Sequence, residues 1–271
     1  MSATGLDHVG VAGADLDSLA AAFDRLGFRL TPPSPHHAPG PDGRPQPTGT
    51  GNRCAMLREG YLELIAVIDP ARPSASLARM IARHAGIHIL AFAIDDPDAE
   101  LARLRAEGLA IDGIAWLERP IGEDGAGGVA RFARLPLPDA PEGRIQLIRH
   151  LTPGLLWQPP LLDHPNRAVA LEEAVIAVEE PEATLARLAR LTGIGPSGDM
   201  IALPRGRVRV TGGEPFPGIP APVLPFIAGV VLRTDDGAAA IRRLCGGLGR
   251  DTASGFLVPP EHAGGAALLF R

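Results

Sequence analysis

The sequence predicts an α+β protein in which four βαβββ modules pair into two half-open barrels. Three observations carry that expectation. A strand, an acidic or capping residue, an amphipathic helix and a glycine recur in the same order four times along the 271 residues. Short strand-like runs follow each helix, unlike the strict alternation of a doubly wound parallel sheet. A Pro-rich stretch at 151–169, LTPGLLWQPPLLDHPNRAV, separates the second repeat from the third.

The first module opens LDHVGVAGADLDSLAAAFDRLGFRL, where Asp15 caps a helix carrying Leu16, Leu19, Phe23 and Leu26 at helical spacing. Strand alternation in GLDHVGVA places His8, Gly10 and Ala12 on one side and Val9 and Val11 on the other. The valines read as core, and the histidine beside two small residues reads as the wall of a cavity. The runs RCAMLREG and YLELIAVI supply later strands, and SASLARMIARHA (74–85) predicts a helix joining the first two modules. Between the first helix and RCAMLREG, TPPSPHHAPGPDGRPQPTGTG (31–51) reads as a long loop over the site.

The second module is HILAFAIDDPDAELARLRAEGL, with Asp96 as cap, Pro97 at the first helical position and Gly108 after the last turn. Its strand turns Leu90, Phe92 and Ile94 to the helix and Ile89, Ala91 and Ala93 to the cavity. VARFARLPL and GRIQLIRH complete it. The third, LEEAVIAVEEPEATLARLARLTGI, uses Pro181 in the same role before DMIALPRGRVRVTG. The fourth, IAGVVLRTDDGAAAIRRLCGGLG, is weakened as a helix by Gly237, Gly246 and Gly247, and ends in GFLVPP and GAALLFR. The expected organisation is a domain over 1–150, a linker over 151–169 and a second domain over 170–271.

A net charge of −5, with no clustered run of basic residues, argues against a phosphate-neutralising nucleic-acid surface. All 26 basic residues are arginine, a compositional trait that carries no functional weight. No apolar stretch approaches the roughly 20 residues of a membrane span, and no basic-then-apolar leader opens the chain, so a cytoplasmic protein is expected. Cys54 and Cys245, too few for a disulfide or thiolate framework, read as buried small hydrophobes. No Ser-His-Asp order or phosphate loop is legible.

This arrangement resembles the vicinal oxygen chelate (VOC) superfamily, in particular its glyoxalase-like branch with two such domains in one chain. The segments that carry the resemblance are LDHVGVA, GTGN at 49–52, GYLELIAV at 60–67, HILAFAIDD, GRIQLI at 143–148 and HPN at 164–166. The resemblance implies glyoxalase/bleomycin-resistance/dioxygenase-type barrels around a small oxygenated organic molecule. In metal-using members, ligands come from the first and last strands of each module. Carried over, the first two positions are His8 and Glu63. The third holds Ile89, with His88 one residue early and facing the other way unless a bulge re-aims it. The fourth holds Gln146 where glutamate is usual.

His8, Glu63 and Gln146 are thus the candidate ligands of a divalent ion (Zn, Ni, Mn or Fe), with Glu63 also the candidate catalytic base. A carboxylate among Leu62, Leu64 and Ile65 needs a metal or a partner; a salt-bridged glutamate is the plainer alternative. Asn52, Arg53, Trp116, His150 and His164 are candidate substrate contacts, although Asn52 and the HPN residues His164 and Asn166 also suit local turn and backbone bonding. His36 and His37 read as solvated. The second half offers Glu173, Arg209, Gly229 and a residue near Ala267, which cannot hold a metal, and reads as scaffold. Two functions remain: a lyase, isomerase or dioxygenase working in the first barrel, or a non-catalytic small-molecule binding or drug-sequestering protein that lost its metal site. The expected partner is a small molecule, not nucleic acid or membrane, for a monomer or homodimer.

Overall fold

The computed structural model describes residues 2–39, 44–72, 74–121, 127–137 and 140–271. The first module comprises β1 (Gly5–Gly13), α1 (Leu16–Arg25), β2 (Ser34–Pro39), β3 (Pro45–Met56) and β4 (Tyr61–Val67), and α2 (Ala75–Arg83) leads out of it. The second comprises β5 (Gly86–Ala93), α3 (Pro97–Ala106), β6 (Ala115–Pro120), β7 (Val129–Pro136) and β8 (Arg144–His150). Then come β9 (Ala168–Ala177), α4 (Pro181–Thr192), β10 (Met200–Ala202) and β11 (Arg207–Thr211). The last module is β12 (Phe226–Thr234), α5 (Ala239–Cys245), β13 (Arg250–Thr252), β14 (Gly255–Val258) and β15 (Ala267–Phe270).

The helices start where capping chemistry places them. Asp15 accepts from the Ser18 amide, Ser74 from Leu77 and Asp96 from Ala99, each satisfying an otherwise orphaned N–H of a first turn. α4 opens on Pro181 and closes on Gly193, whose φ of 72° is the left-handed cap that a Cβ would strain. None of the helices among the described residues is long and apolar enough to cross a membrane.

Strand pairing gives each half the same plan. β1 runs parallel to β4 and antiparallel to β5, and β5 runs parallel to β8. β3 and β2 extend the sheet past β4, while β7 and β6 extend it past β8. In the second half β9 is parallel to β11 and antiparallel to β12, which is parallel to β15. One residue pair between β5 and β12, Ile87 with Ile227, joins the halves into a single open sheet of fifteen strands. One apolar core also runs through both, from Leu6, Phe23 and Phe92 to Leu188, Ile241 and Phe270.

Two elements differ from expectation. The stretch 31–51 is largely a pair of strands rather than a loop; its tip, 40–43, lies outside the described residues. Its prolines are tolerated because β2 is the edge of the sheet and its register on β3 slips between Pro35 and His37. The third module has two strands after its helix, not three. Five prolines in GGEPFPGIPAPVLP (212–225) remove the donors a further strand needs, and the segment instead folds as a turn bringing Phe216 against Ile219.

Candidate active site

The first half encloses a cavity of about 360 Å³. Its polar wall is His8 from β1, Asn52 from β3, Glu63 from β4, Arg119 from β6, Arg134 from β7 and Gln146 from β8. Met56, Phe132 and Leu156 form an apolar side. The register explains the gathering: His8 sits beside Ala91, which in turn pairs with Gln146, and Gly10 lies between Ile89 and Glu63. A Cβ on Gly10 would come within 2.8 Å of the Ile89 side chain, so the glycine makes room for Ile89 and not, as the alternation suggested, for a ligand.

His8 is held by a residue that strict alternation would have put on the opposite face. The pairing of β1 with β5 slips between Leu6 and His8, leaving Asp7 as the extra residue of a bulge. Asp7 is thereby turned so that its buried Oδ1 accepts from Nδ1 of His8 at 2.7 Å and from Nε2 of His150 at 3.1 Å. Burial alone would raise the Asp7 carboxyl, but the bonds and charges of the two histidines outweigh it and hold the group well below the ordinary carboxylate range. In a neutral imidazole, a carboxylate at Nδ1 favours the tautomer with its proton there, so that Nε2 carries the lone pair and accepts from the Gln146 amide. That Nε2 faces the cavity, 3.2 Å from the Gln146 amide nitrogen, while the Gln146 oxygen lies 3.5 Å from Nη1 of Arg134. The Tyr61 ring stacks on His8 with centroids 4.5 Å apart.

Glu63 is anionic for a different reason. Burial pushes its carboxyl up, but His8, His36, the Asn52 amide and Arg119 together bring it below its usual value. Asn52 donates to Glu63 at 2.6 Å and accepts from Arg119 at 3.1 Å, linking carboxylate and guanidinium. Cys54, also on the wall, is pushed up to about 12 by burial, and the Tyr61 phenol is raised as well, so both stay protonated.

Of the expected substrate contacts, Asn52 is on the cavity wall. Arg53 is instead engaged with the Thr31 carbonyl at 2.8 Å, because its side of β3 faces the start of β2. Trp116 is 62% exposed on β6. His150 stands behind the cavity, bonded to Asp7 and packed edge-on to Trp157. His164 accepts from the Arg29 amide and donates to the Met56 carbonyl, and Asn166 bonds Leu26 and Ala168, so the HPN segment ties chain to chain. His88 does point away: it stacks on His84 at 4.0 Å and bonds the His84 carbonyl. His36, expected in solvent, is partly buried in the wall and bonded to Thr50, since β2 pairs with β3 there.

His8, Glu63 and Gln146 do share the cavity, but their chemistry does not suit a divalent cation. Gln146 directs its nitrogen, not its oxygen, at the His8 lone pair, and Arg134 holds the amide in that sense. Arg119, Arg134 and Arg144 face the same space, and Ile89 fills the remaining ligand position. Among the described residues no group of three or more His, Cys, Asp or Glu side chains gathers as a metal site.

Paired half-open barrels of this kind define a glyoxalase-type VOC fold. The chain belongs to the family described as glyoxalase-like domain, whose model matches residues 6–192. A hypothetical protein from Staphylococcus aureus shares the fold over 98% of both chains, at a TM-score of 0.67 and 13% identity. A mutant 4-hydroxymandelate synthase from Streptomyces coelicolor does so over 90% of this chain and 75% of its own, at 0.55 and 18%. At these identities the likeness is one of fold. No curated protein matches the chain.

Proposed function

We propose that the first-half cavity is the active site of an enzyme that moves a proton on a small oxygenated organic molecule, with His8 as the base and no resident metal ion. In this reading residues 1–150 are the working domain and 170–271 the scaffold. The observation that carries it is the buried Asp7–His8 pair, 2.7 Å apart, with Nε2 facing the cavity. Nε2 takes a proton from the carbon beside a carbonyl, and the C–H electron pair moves onto the carbonyl oxygen. Asp7 stabilises the imidazolium that forms, and Arg119 or Arg134 stabilises the oxyanion. Return of a proton to the opposite face of that carbon completes an isomerisation; collapse of the enolate with departure of a β substituent and its bonding pair completes an elimination. These are the isomerase and lyase members of the activities the resemblance implies. Glu63, bound to Asn52 and anionic, acts beside His8 as a second acceptor for the same proton.

The test is solvent exchange. Chelator-treated protein in D2O is incubated with a panel of small oxo and hydroxy compounds, charged and neutral, and C–H loss is followed by proton NMR. The expected result is deuterium incorporation into at least one compound, lost in His8→Ala and unchanged by added divalent ions. Exchange that survives in His8→Ala, or that appears only with metal, contradicts the assignment. Binding without exchange throughout the panel supports the sequestering alternative.

A further inference from the structure

The cavity carries more cationic donors than its own residues can use. Nε of Arg119 and Nε of Arg134 are both buried without a hydrogen-bond partner. Arg144, third on the wall, gives one N–H to the Ser76 hydroxyl at 2.8 Å. None of the three is in an ion pair among the described residues, whereas elsewhere buried carboxylates and arginines find each other: Glu142 with Arg187, Glu100 with Arg103, Glu173 with Arg207 and Arg209. Two carboxylates touch the cavity. Glu63 is engaged by Asn52, and Glu118 is 62% exposed at its side chain and paired with Arg131 outside. Arginines on the lining therefore outnumber its carboxylates three to two, and one of those carboxylates is already paired outside the cavity.

We infer that the ligand of this cavity is an organic carboxylate, clamped by Arg119 and Arg134 with Arg144 behind them. The inference rests on reading the cavity as a ligand site, as the proposed function does, but not on His8 being catalytic. A buried donor without an acceptor costs free energy, and a carboxylate offers the planar pair of acceptors that guanidinium forks match. The apolar side formed by Met56, Phe132 and Leu156 selects an organic anion over an inorganic one, and a volume of about 360 Å³ suits a carboxylate with one ring or a short branched chain. Burial first and then the neighbouring Arg144 push Arg134 below its usual basicity, and the attraction of Glu63 only partly offsets them.

Calorimetry with two near-isosteric probes, benzoate and benzamide, on the full chain tests this. Benzoate is expected to bind at least tenfold more tightly than benzamide. Arg134→Gln and Arg119→Gln are each expected to weaken benzoate about tenfold and leave benzamide unchanged, while Arg131→Gln, on the exposed side of β7, changes neither. Equal affinity of wild type for the two probes overturns the carboxylate assignment and leaves the cavity reading standing. So does benzoate binding indifferent to both cavity substitutions. Failure of wild type to bind either probe overturns both. The wild-type ratio decides the matter even if a substituted chain does not fold.

Discussion

The two halves of this chain solve the interior of the same barrel in opposite ways. By strand register, Glu173 stands where His8 does, Arg209 where Glu63 does, and Leu269 where Gln146 does. In the second half the charges neutralise one another: Glu173 takes Arg207 on one oxygen at 2.5 Å and Arg209 on the other at 2.9 Å. The space beyond them is filled by Phe216, Phe226, Val231, Leu257 and Leu269. Gly229, at the position of Ile89, leaves room for that filling, since a Cβ there would meet the Phe216 ring at 2.8 Å. The first half keeps the space open, and Arg119, Arg134 and Arg144 on its wall are in no ion pair among the described residues. A packed, self-neutralised interior is what stability favours; an open one with surplus donors is what a ligand site requires.

Substitutions should sort along that divide. The largest effect is expected from Phe216→Ala, which empties the packed half and should cost about 4 kcal/mol by chemical denaturation. Next, Glu173→Ala leaves Arg209 partly buried without a carboxylate and Arg207 with only the longer contact to Glu172, at a cost of about 3 kcal/mol. Asp7→Asn in the open half should cost about 2 kcal/mol at neutral pH, since the His8 and His150 donors lose a charged acceptor. The sign of its pH dependence follows from the lowered carboxyl. Folding is favoured by Asp7 above its ordinary value of 3.8, and that contribution is lost as pH falls toward the folded-state value. The gap between wild type and Asp7→Asn should therefore be full at pH 7 and shrink below about pH 4. The smallest effect has the opposite sign: Arg134→Met should stabilise the ligand-free chain by about 1 kcal/mol while weakening benzoate about tenfold, because it deletes a poorly partnered cation. A loss of stability from Arg134→Met comparable to that from Glu173→Ala would erase the contrast between the halves.

The sequence shows the plan of the barrels and half of the site. Periodicity, Asp and Pro caps and the repeat order are local signals, and they placed β1, α1, α2, α3, α4 and the parity of His8 and Ile89, whereas Glu63 and Gln146 were marked only by the family resemblance. Alternation fails wherever a strand bulges, which hid Asp7: it is adjacent to His8, yet a flat strand puts the two on opposite faces. The arginines were hidden differently. Arg119 and Arg134 lie in polar runs, AWLERP and VARFARLP, where nothing local separates a cation aimed inward from one in solvent. Proline content misled at 31–51, because edge strands accept prolines that inner strands reject. His164 and Asn166 drew attention through a motif, yet their bonds to Met56, Leu26 and Ala168 are those of a structural tie.

The central claim is that Asp7 fixes His8 as a base whose Nε2 serves the first-half cavity, with no metal involved. Nitrogen-15 NMR of the His8 ring in chelator-treated protein, before and after zinc is added, tests it most directly. The account predicts that neutral His8 carries its proton on Nδ1, that Asp7→Asn disturbs this tautomer, and that a stoichiometric amount of zinc leaves the Nε2 signal in place. A proton on Nε2, or a zinc-induced shift of that nitrogen at one equivalent, would contradict it.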